Sequence, residues 1–295
     1  LPFRRSIHVI FNPLAGPRRR LMLDRVAAQL RAAGADVLIE ETRAAGHATA
    51  LARAAALRGE ADVIVAAGGD GTINEVARGL LGQGVPLGII PLGTANILAA
   101  EIGLKRDPVH IADMILSGPA ALIGTGLVDG QIFLLMVGIG FDGEVVHNIS
   151  PGQKRRWSRL AFVHEGLKLW LRGPGHKISL RVDGKPYQAA WVIAMNGKRF
   201  AGDFILAPQN DIAEPGLSLF LFQNGGRLAL IRYFIALAMG RVSELRDVVI
   251  LEAQEALVQS PEGLAVEVDG DARGHLPQKI ERGTQFLRLV VPPAD

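Results

Sequence analysis

The chain has 295 residues, 49% hydrophobic and 21% charged, the balance of a packed globular protein long enough for two cores. A net charge of +3 calls for no nucleic acid, and the absence of cysteine excludes a disulfide scaffold, a thiolate metal site and a cysteine nucleophile. The longest apolar runs, Gln131–Phe141 and Leu228–Gly240, are too short to span a bilayer. With no leader-like opening, the expectation is a cytoplasmic protein, at most peripheral at the inner membrane surface.

The first hundred residues alternate strand and helix. Ile7–Phe11 is a short apolar run, and Leu21–Ala33 carries helical spacing in Leu23, Val26, Ala27 and Leu30. Val37–Glu40 reads as a strand, His47–Arg58 as an alanine-rich helix, and Asp62–Ala67 as a strand running into Gly68-Gly69-Asp70-Gly71. Thr72–Leu81 reads as a helix and Val85–Pro91 as a strand, with a further helix ending near Gly103. Short apolar strands between helices predict a parallel sheet covered on both faces. Near residue 120 the pattern changes. Val128-Asp129-Gly130 and Val182-Asp183-Gly184 read as hairpin turns, and Ala190–Met195, Leu217–Phe222, Val248–Leu251 and Leu264–Val268 as strands. Helical stretches at Ser158–Leu171 and Arg227–Met239 interrupt a mainly antiparallel half, and Phe286–Val291 can close onto either domain.

Gly68-Gly69-Asp70-Gly71-Thr72 sits between a buried strand and a helix, where a parallel sheet places its ligand crevice. Glycines let backbone N–H groups approach a phosphate, and a helix start favours negative charge. No Gly-Lys-Ser/Thr follows, so it is not a Walker loop. An aspartate in a phosphate loop makes sense if Asp70 holds Mg²⁺ or receives a proton from an acceptor alcohol. The plainer reading is a tight turn with a capping box between Thr72 and Glu75, and one helix start can serve both. Asn12-Pro13-Leu14-Ala15-Gly16 and Pro91-Leu92-Gly93-Thr94-Ala95-Asn96 follow two other strands. Each alone reads as a turn; three together favour a nucleotide site.

These residues resemble the diacylglycerol kinase catalytic family, which includes bacterial lipid kinases and sphingosine kinases. The resemblance is carried by Asn12-Pro13-x-x-Gly16, Thr42 with Gly46-His47-Ala48, Gly68–Thr72 with Asn74-Glu75, and Pro91-Leu92-Gly93-Thr94-x-Asn96. It continues through Gly138-x-Gly140-Phe141-Asp142, Asn196-Gly197, Ala201-Gly202, Ala207-Pro208 and Val268-Asp269-Gly270-Asp271. NAD kinases and phosphofructokinases share a related glycine loop.

The resemblance implies an α/β protein: a Rossmann-like N-terminal domain of the NAD kinase and phosphofructokinase type, then an antiparallel β-sandwich domain, with the chemistry in the cleft between them. Domain bounds of 1–120 and 121–283 are expected, with 284–295 returning to the first. It further implies ATP and Mg²⁺ as cofactors, a lipid substrate, and nucleotide contacts from Asn12, Gly16, Thr42, Gly68, Gly69, Asp70, Gly71, Thr72, Asn74, Glu75, Gly93, Thr94 and Asn96. The family's base is usually a glutamate in an Asp-Gly-Glu turn. Asp271 stands there, one methylene shorter, and is expected to be catalytic with Asp70; taken alone, Asp269-Gly270-Asp271 is a surface hairpin turn. Ala15 stands where the first loop usually has serine. Pro215, in Glu214-Pro215-Gly216-Leu217, stands where some relatives ligate a structural Mg²⁺, so that site is not expected.

Asp142 is either a cleft-facing carboxylate or a residue of a helix start, and His47 a capping or packing residue. Lys154-Arg155-Arg156-Trp157 before Leu160–Leu171 suits a membrane surface, although a charge run is usually a solvated face. The expected activity is ATP-dependent phosphorylation of a lipid hydroxyl. A NAD kinase-like small-molecule kinase and a non-catalytic nucleotide-binding regulator are the alternatives, and a homodimer is compatible with all three.

Overall fold

A computed structural model describes residues 3–15, 17–149, 159–173, 175–202, 204–214 and 216–293. The chain divides into two compact units, residues 1–123 with 285–295, and residues 124–284.

The first unit is a parallel α/β layer structure. Its elements are β1 (Ser6–Phe11), α1 (Pro17–Ala32), β2 (Asp36–Glu41), α2 (His47–Arg58), β3 (Val63–Gly68), α3 (Asp70–Leu80), β4 (Leu87–Pro91), α4 (Ile97–Glu101) and α5 (Pro108–Ser117). The sheet order is β2-β1-β3-β4, every neighbouring pair parallel. β3 is buried at every position, as a strand covered on both faces must be. Leu23, Val26, Ala27 and Leu30 of α1 are buried, so its apolar spacing does face the core. Helix α5 has no counterpart among the sequence expectations, although Asp107-Pro108 is a start signal. Asp107 accepts a hydrogen bond from the His110 N–H, and Pro108 needs no acceptor at the first turn. The far end of α5 is satisfied by buried Arg4, which donates to Ile115 O and Gly118 O, each at 2.9 Å.

The second unit is an antiparallel β-sandwich with helices. Its elements begin with β5 (Ala120–Val128), which starts in the first unit, β6 (Gln131–Phe133), β7 (Met136–Ile139), α6 (Phe141–Asn148) and α7 (Arg159–Arg172). There follow β8 (Ile178–Val182), β9 (Lys185–Ala189), β10 (Trp191–Met195), β11 (Arg199–Phe200), β12 (Phe204–Ile205), β13 (Ser218–Phe222) and α8 (Arg227–Ala238). The series ends with β14 (Val248–Glu252), β15 (Glu255–Ser260), β16 (Ala265–Val268), β17 (Asp271–His275) and β18 (Gln278–Val290). One sheet runs β14-β13-β10-β7-β16-β17. Alternate residues of its strands, such as Val137 and Ile139, Val192 and Ala194, and Val266 and Val268, share a core with Ile178, Leu180, Ala256 and Val258 of the other layer. The last strand is longer than its apolar run suggests: residues near Ile280 pair with β15, and Leu289 pairs in parallel with Leu87 of β4.

Three Asp-Gly pairs make two-residue hairpins, at 129–130, 183–184 and 269–270, each with positive φ at both positions. Each aspartate also accepts hydrogen bonds from backbone elsewhere. Asp129 takes the Lys279 N–H, Asp183 those of Gln254 and Glu255, and Asp269 those of Leu134, Leu135 and Met136.

Candidate functional site

In the first unit the strand order reverses at β1, whose neighbours β2 and β3 lie on opposite sides. Such a switch point opens a crevice at the carboxyl ends of the strands. Asn12 follows β1 there and Gly68 ends β3. The two are tied across the opening: Asn12 N–H donates to Ala67 O at 3.0 Å, and Asn12 Nδ2 donates to the Thr72 hydroxyl at 3.2 Å. Asn12 Oδ1 accepts from the Leu14 N–H at 3.0 Å, which curls the first loop. Gly16 lies outside the described residues, as does Pro215.

The second and third loops meet through backbone alone. A Cβ on Gly93 would lie 2.5 Å from Gly69 Cα, and one on Gly69 would lie 3.2 Å from Gly93 Cα. Only glycines allow this approach, and it leaves peptide groups exposed where side chains would otherwise stand. Leu92 N–H donates to Gly68 O at 2.8 Å, extending the contact. Asn96 closes the third loop from within: its Oδ1 accepts from the Gly93 N–H at 2.6 Å and its Nδ2 donates to Gly93 O at 2.9 Å. Asn96 is in the left-handed region at φ 48°, which asparagine tolerates, and its side chain is buried.

Helix α3 begins at Asp70, two residues before the expected start, with Gly69 as its N-cap and no side-chain cap. The capping box is therefore absent. Thr72 is already helical and its hydroxyl is taken by Asn12, while Glu75 reaches another helix. Its two oxygens accept from Gly46 N–H at 2.9 Å and Ala48 N–H at 3.1 Å, capping α2. Glu75 thus sets the loop after β2, where Thr42 N–H donates to Phe11 O at 2.8 Å. His47 does the local work of a turn residue: its Nδ1 accepts from Arg43 N–H at 3.1 Å. Asn74 is buried on α3 and Gly71 lies in its first turn. Asp70 Oδ1 accepts from the Ile97 N–H at 2.7 Å, joining the glycine loop to the start of α4.

Sequence reading missed two cations on the third loop. Arg19 Nη2 donates to the Thr94 hydroxyl at 3.3 Å, and Arg106 Nη2 donates to Thr94 O at 3.4 Å and Ala95 O at 3.1 Å. The Arg18-Arg19-Arg20 run after the first loop was the available signal. Together these loops present glycine backbone, a helix start, hydroxyls and guanidinium groups, the ingredients of a polyphosphate site.

Asp271 belongs to the second unit, at the start of β17 and half-buried. Its turn is a hairpin pinned from within, because Asp269 is only 4% exposed and is fixed by its three N–H donors at 2.8–2.9 Å. Asp142 lies in the first turn of α6, buried, where its Oδ1 accepts from Trp191 Nε1 at 2.9 Å. Burial pushes the Asp142 carboxyl up to about 7 and Glu267 well above the usual carboxylate range.

Mg²⁺ characteristically uses one or two carboxylates plus phosphate oxygens and water. Among the described residues no group of three or more His, Cys, Asp or Glu could hold a metal ion. Asp70, a single carboxylate at the glycine loop, fits a metal held chiefly by the nucleotide.

The described surface of the second unit carries an apolar strip. On α7, Val163, Leu167 and Leu171 recur at four-residue spacing and are exposed; on α8, Leu228, Ile231, Ile235 and neighbouring Met239 are exposed. Trp170 Nε1 donates to Arg227 O at 3.0 Å and Arg227 donates to Leu171 O, joining the two helices. The Lys154–Trp157 run lies outside the described residues. Among the described residues, no helix is long and apolar enough to cross a membrane.

Comparison with known proteins matches residues 6–128 to the diacylglycerol kinase catalytic domain and residues 136–291 to the YegS C-terminal NAD kinase beta sandwich-like domain. The chain is 29% identical over 290 residues to a diacylglycerol kinase of Bacillus subtilis (strain 168), covering 96% of this chain and 95% of that protein. It is 27% identical over 304 residues to a diacylglycerol kinase of Mycobacterium tuberculosis (strain H37Rv), covering 97% and 95%. The crystal structure of a diacylglycerol kinase from Bacillus anthracis str. Sterne superposes at TM-score 0.73 with 22% identity, covering 99% of this chain and 98% of that one. A second crystal structure from that organism superposes at 0.80 with 24% identity, covering 99% and 97%. These two likenesses speak to the fold.

Proposed function

The chain belongs to the diacylglycerol kinase catalytic domain family, with a YegS-type C-terminal β-sandwich domain, and from that premise we propose that it transfers the γ-phosphoryl group of ATP to a lipid hydroxyl. The observation that carries this reading is the meeting of Gly69 and Gly93 beside the start of α3, at the carboxyl ends of β3 and β4 and next to the switch point of a parallel sheet. Backbone without side chains at a helix start suits polyphosphate. Asn12, Thr42, Gly68, Gly69, Gly71, Thr72, Gly93 and Thr94 form the nucleotide loops in this proposal. Arg19 and Arg106 add charge, and Glu75 and Asn96 hold the loops in shape, with Asn74 buried on α3.

In the proposed reaction the acceptor hydroxyl oxygen forms a bond to Pγ as the bond from Pγ to the β–γ bridging oxygen breaks, and ADP leaves. The hydroxyl proton passes to the Asp271 carboxylate, which the buried Asp269 anchor holds in a fixed turn. Bound Mg²⁺, with Asp70 as its protein ligand, would neutralise phosphate charge. Most of the rate then comes from positioning and fixed charge.

Lipid must be met at a surface. The exposed strip on α7 and α8, with Arg172 and Arg227 where the two helices join, has the apolar and basic character that anionic membranes attract. The test is transfer of label from γ-labelled ATP to lipids in mixed micelles. Labelled lipid supports the reading, and labelled NAD would replace it with a small-molecule kinase.

A further inference from the structure

Behind the turn that bears Asp271, the second unit buries two carboxyl groups against each other. Asp142 sits on α6 and Glu267 on β16, 9% and 1% exposed. One oxygen of each is engaged. Asp142 Oδ1 accepts from Trp191 Nε1 and from the Gly143 N–H, both at 2.9 Å, and Glu267 Oε2 accepts from the Gly270 N–H at 2.8 Å. The other two oxygens, Asp142 Oδ2 and Glu267 Oε1, are buried with no hydrogen-bond partner.

Those two oxygens converge on one point beside Gly138. A Cβ there would lie 2.6 Å from Glu267 Oε1 and closer still to Asp142 Oδ2. No cation among the described residues balances them. β7 and β10, which pack beside the pair, bear no ionisable side chain. The hairpin after β16 and its strand β17 add acidic Asp269 and Asp271, with Arg273, whose Nη1 donates to Gln131 Oε1 at 3.1 Å, and His275, whose ring centroid lies 5.0 Å from that of His147. On α6, Glu144 is paired with His176 at 3.0 Å, and His147 Nε2 lies 3.0 Å from Val266 O. On α7, which packs against α6, Glu165 is paired with Lys168 at 3.0 Å. Two carboxylates in one site cannot both ionise, and a buried polar atom without a partner is costly. One proton removes both difficulties.

We propose that Asp142 and Glu267 hold a single proton between them, Glu267 Oε1–H donating to Asp142 Oδ2, and that this acid pair is a second positioning device, beside the Asp269 anchor, for the Asp269-Gly270-Asp271 turn. The proton belongs on Glu267 because the Asp142 carboxylate already has two N–H donors to bear its charge, and Glu267 has one. The pair reaches the turn through the Gly270 N–H. Loss of the proton leaves two adjoining anions and drives Glu267 away from Gly270. The effect on turnover rests on the reading of Asp271 as base; the shared proton does not.

The proton model makes an unusual demand on amides. In Glu267→Gln, the amide donates to Asp142 Oδ2 while its oxygen accepts from Gly270. In Asp142→Asn, the amide donates to Glu267 Oε1 while its oxygen accepts from Trp191 and Gly143. Either single variant reproduces the protonated pair. The double variant sets two amide NH₂ groups face to face, or strands the Trp191 or Gly270 N–H.

The test measures thermal melting of wild type, both single variants and the double, with infrared difference spectra of the carboxylic-acid C=O stretch near neutral pH. The expected results are single variants within about 3 °C of wild type and a double variant about 5 °C or more below additivity. Wild type should show a buried carboxylic-acid band that Glu267→Gln lacks. Absence of that band from wild type, or additive melting, overturns the proton. Stabilisation of wild type but not Glu267→Gln by added Mg²⁺ or Ca²⁺ would overturn it in favour of a cation. In the transfer assay, wild-type turnover should fall at alkaline pH and that of Glu267→Gln should not. Identical profiles would overturn the positioning role while leaving the proton, read by melting and infrared, standing.

Discussion

The Asp70 carboxylate accepts a 2.7 Å hydrogen bond from the Ile97 N–H, so the acidic residue of the glycine loop is also the cap of a helix start. The two roles separate by substitution. Asp70→Asn keeps an oxygen for Ile97 and should melt within about 2 °C of wild type, yet lose 100-fold or more in turnover, roughly the scale of one charge-stabilising group. Asp70→Ala loses the cap as well, at about 1 kcal/mol, and should melt about 2–4 °C lower. Calorimetry beside the transfer assay checks both, and equal melting of the two variants would remove the capping role.

Gly93 tests the backbone approach. Gly93→Ala places a methyl group 2.5 Å from Gly69 Cα and from Asn96 Oδ1, so the loops must part. ATP affinity should fall at least about 10-fold. Gly84→Ala is the control, since a Cβ there meets nothing within 4 Å and its φ is not positive. Titration calorimetry with a non-hydrolysable ATP analogue reads the difference.

Asp269 should matter first for stability. Asp269→Ala strands the N–H groups of Leu134, Leu135 and Met136 inside the protein, at a cost of about 3–5 kcal/mol. Asp269→Asn can still satisfy Leu135 and Met136 through one oxygen and should lose less. Urea unfolding midpoints check the order wild type, Asn, Ala.

The Asp142 carboxyl fixes the sign of one pH dependence. Burial pushes it from the ordinary 3.8 up to about 7 beside Glu267, so between these limits the folded Asp142–Glu267 pair binds a proton that the unfolded chain releases. Its contribution to stability is complete below about pH 4 and is lost as pH rises through about 7. Urea midpoints should therefore fall between about pH 4 and pH 7 in wild type, and fall less in Asp142→Asn.

The exposed strip predicts an assay-dependent loss. Leu228→Glu with Ile235→Glu alters only exposed positions, so melting should stay within about 2 °C of wild type. Sedimentation with anionic vesicles should drop several-fold, as should transfer to vesicle-held lipid, with transfer to a dispersed short-chain lipid unchanged. Equal loss with both substrates would remove the membrane role.

What the sequence displayed was what its local chemistry decides. Asp129-Gly130 and Asp183-Gly184 are hairpins because two residues in the left-handed region suit Asp-Gly, and the glycine loop falls between strand and helix where spacing puts it. What it concealed depends on partners far along the chain. Thr72 and Glu75 have capping-box spacing, but Asn12 and the start of α2, 60 and 27–29 residues away, compete for them and win. The grip of Arg19 on Thr94 spans 75 residues. Asp142 was visible as an acidic residue at a helix start, but nothing local joins it to Glu267, an ordinary acidic residue until α6 and β16 bring the two together.

The most direct test of the account is phosphoryl transfer from γ-labelled ATP, with Mg²⁺, to a lipid panel in mixed micelles, comparing wild type with Asp271→Ala. The prediction is a labelled lipid made by wild type and reduced at least about 100-fold in Asp271→Ala, with ATP affinity unchanged. Undiminished turnover in Asp271→Ala, label appearing on NAD, or ATP binding with no acceptor labelled would contradict it.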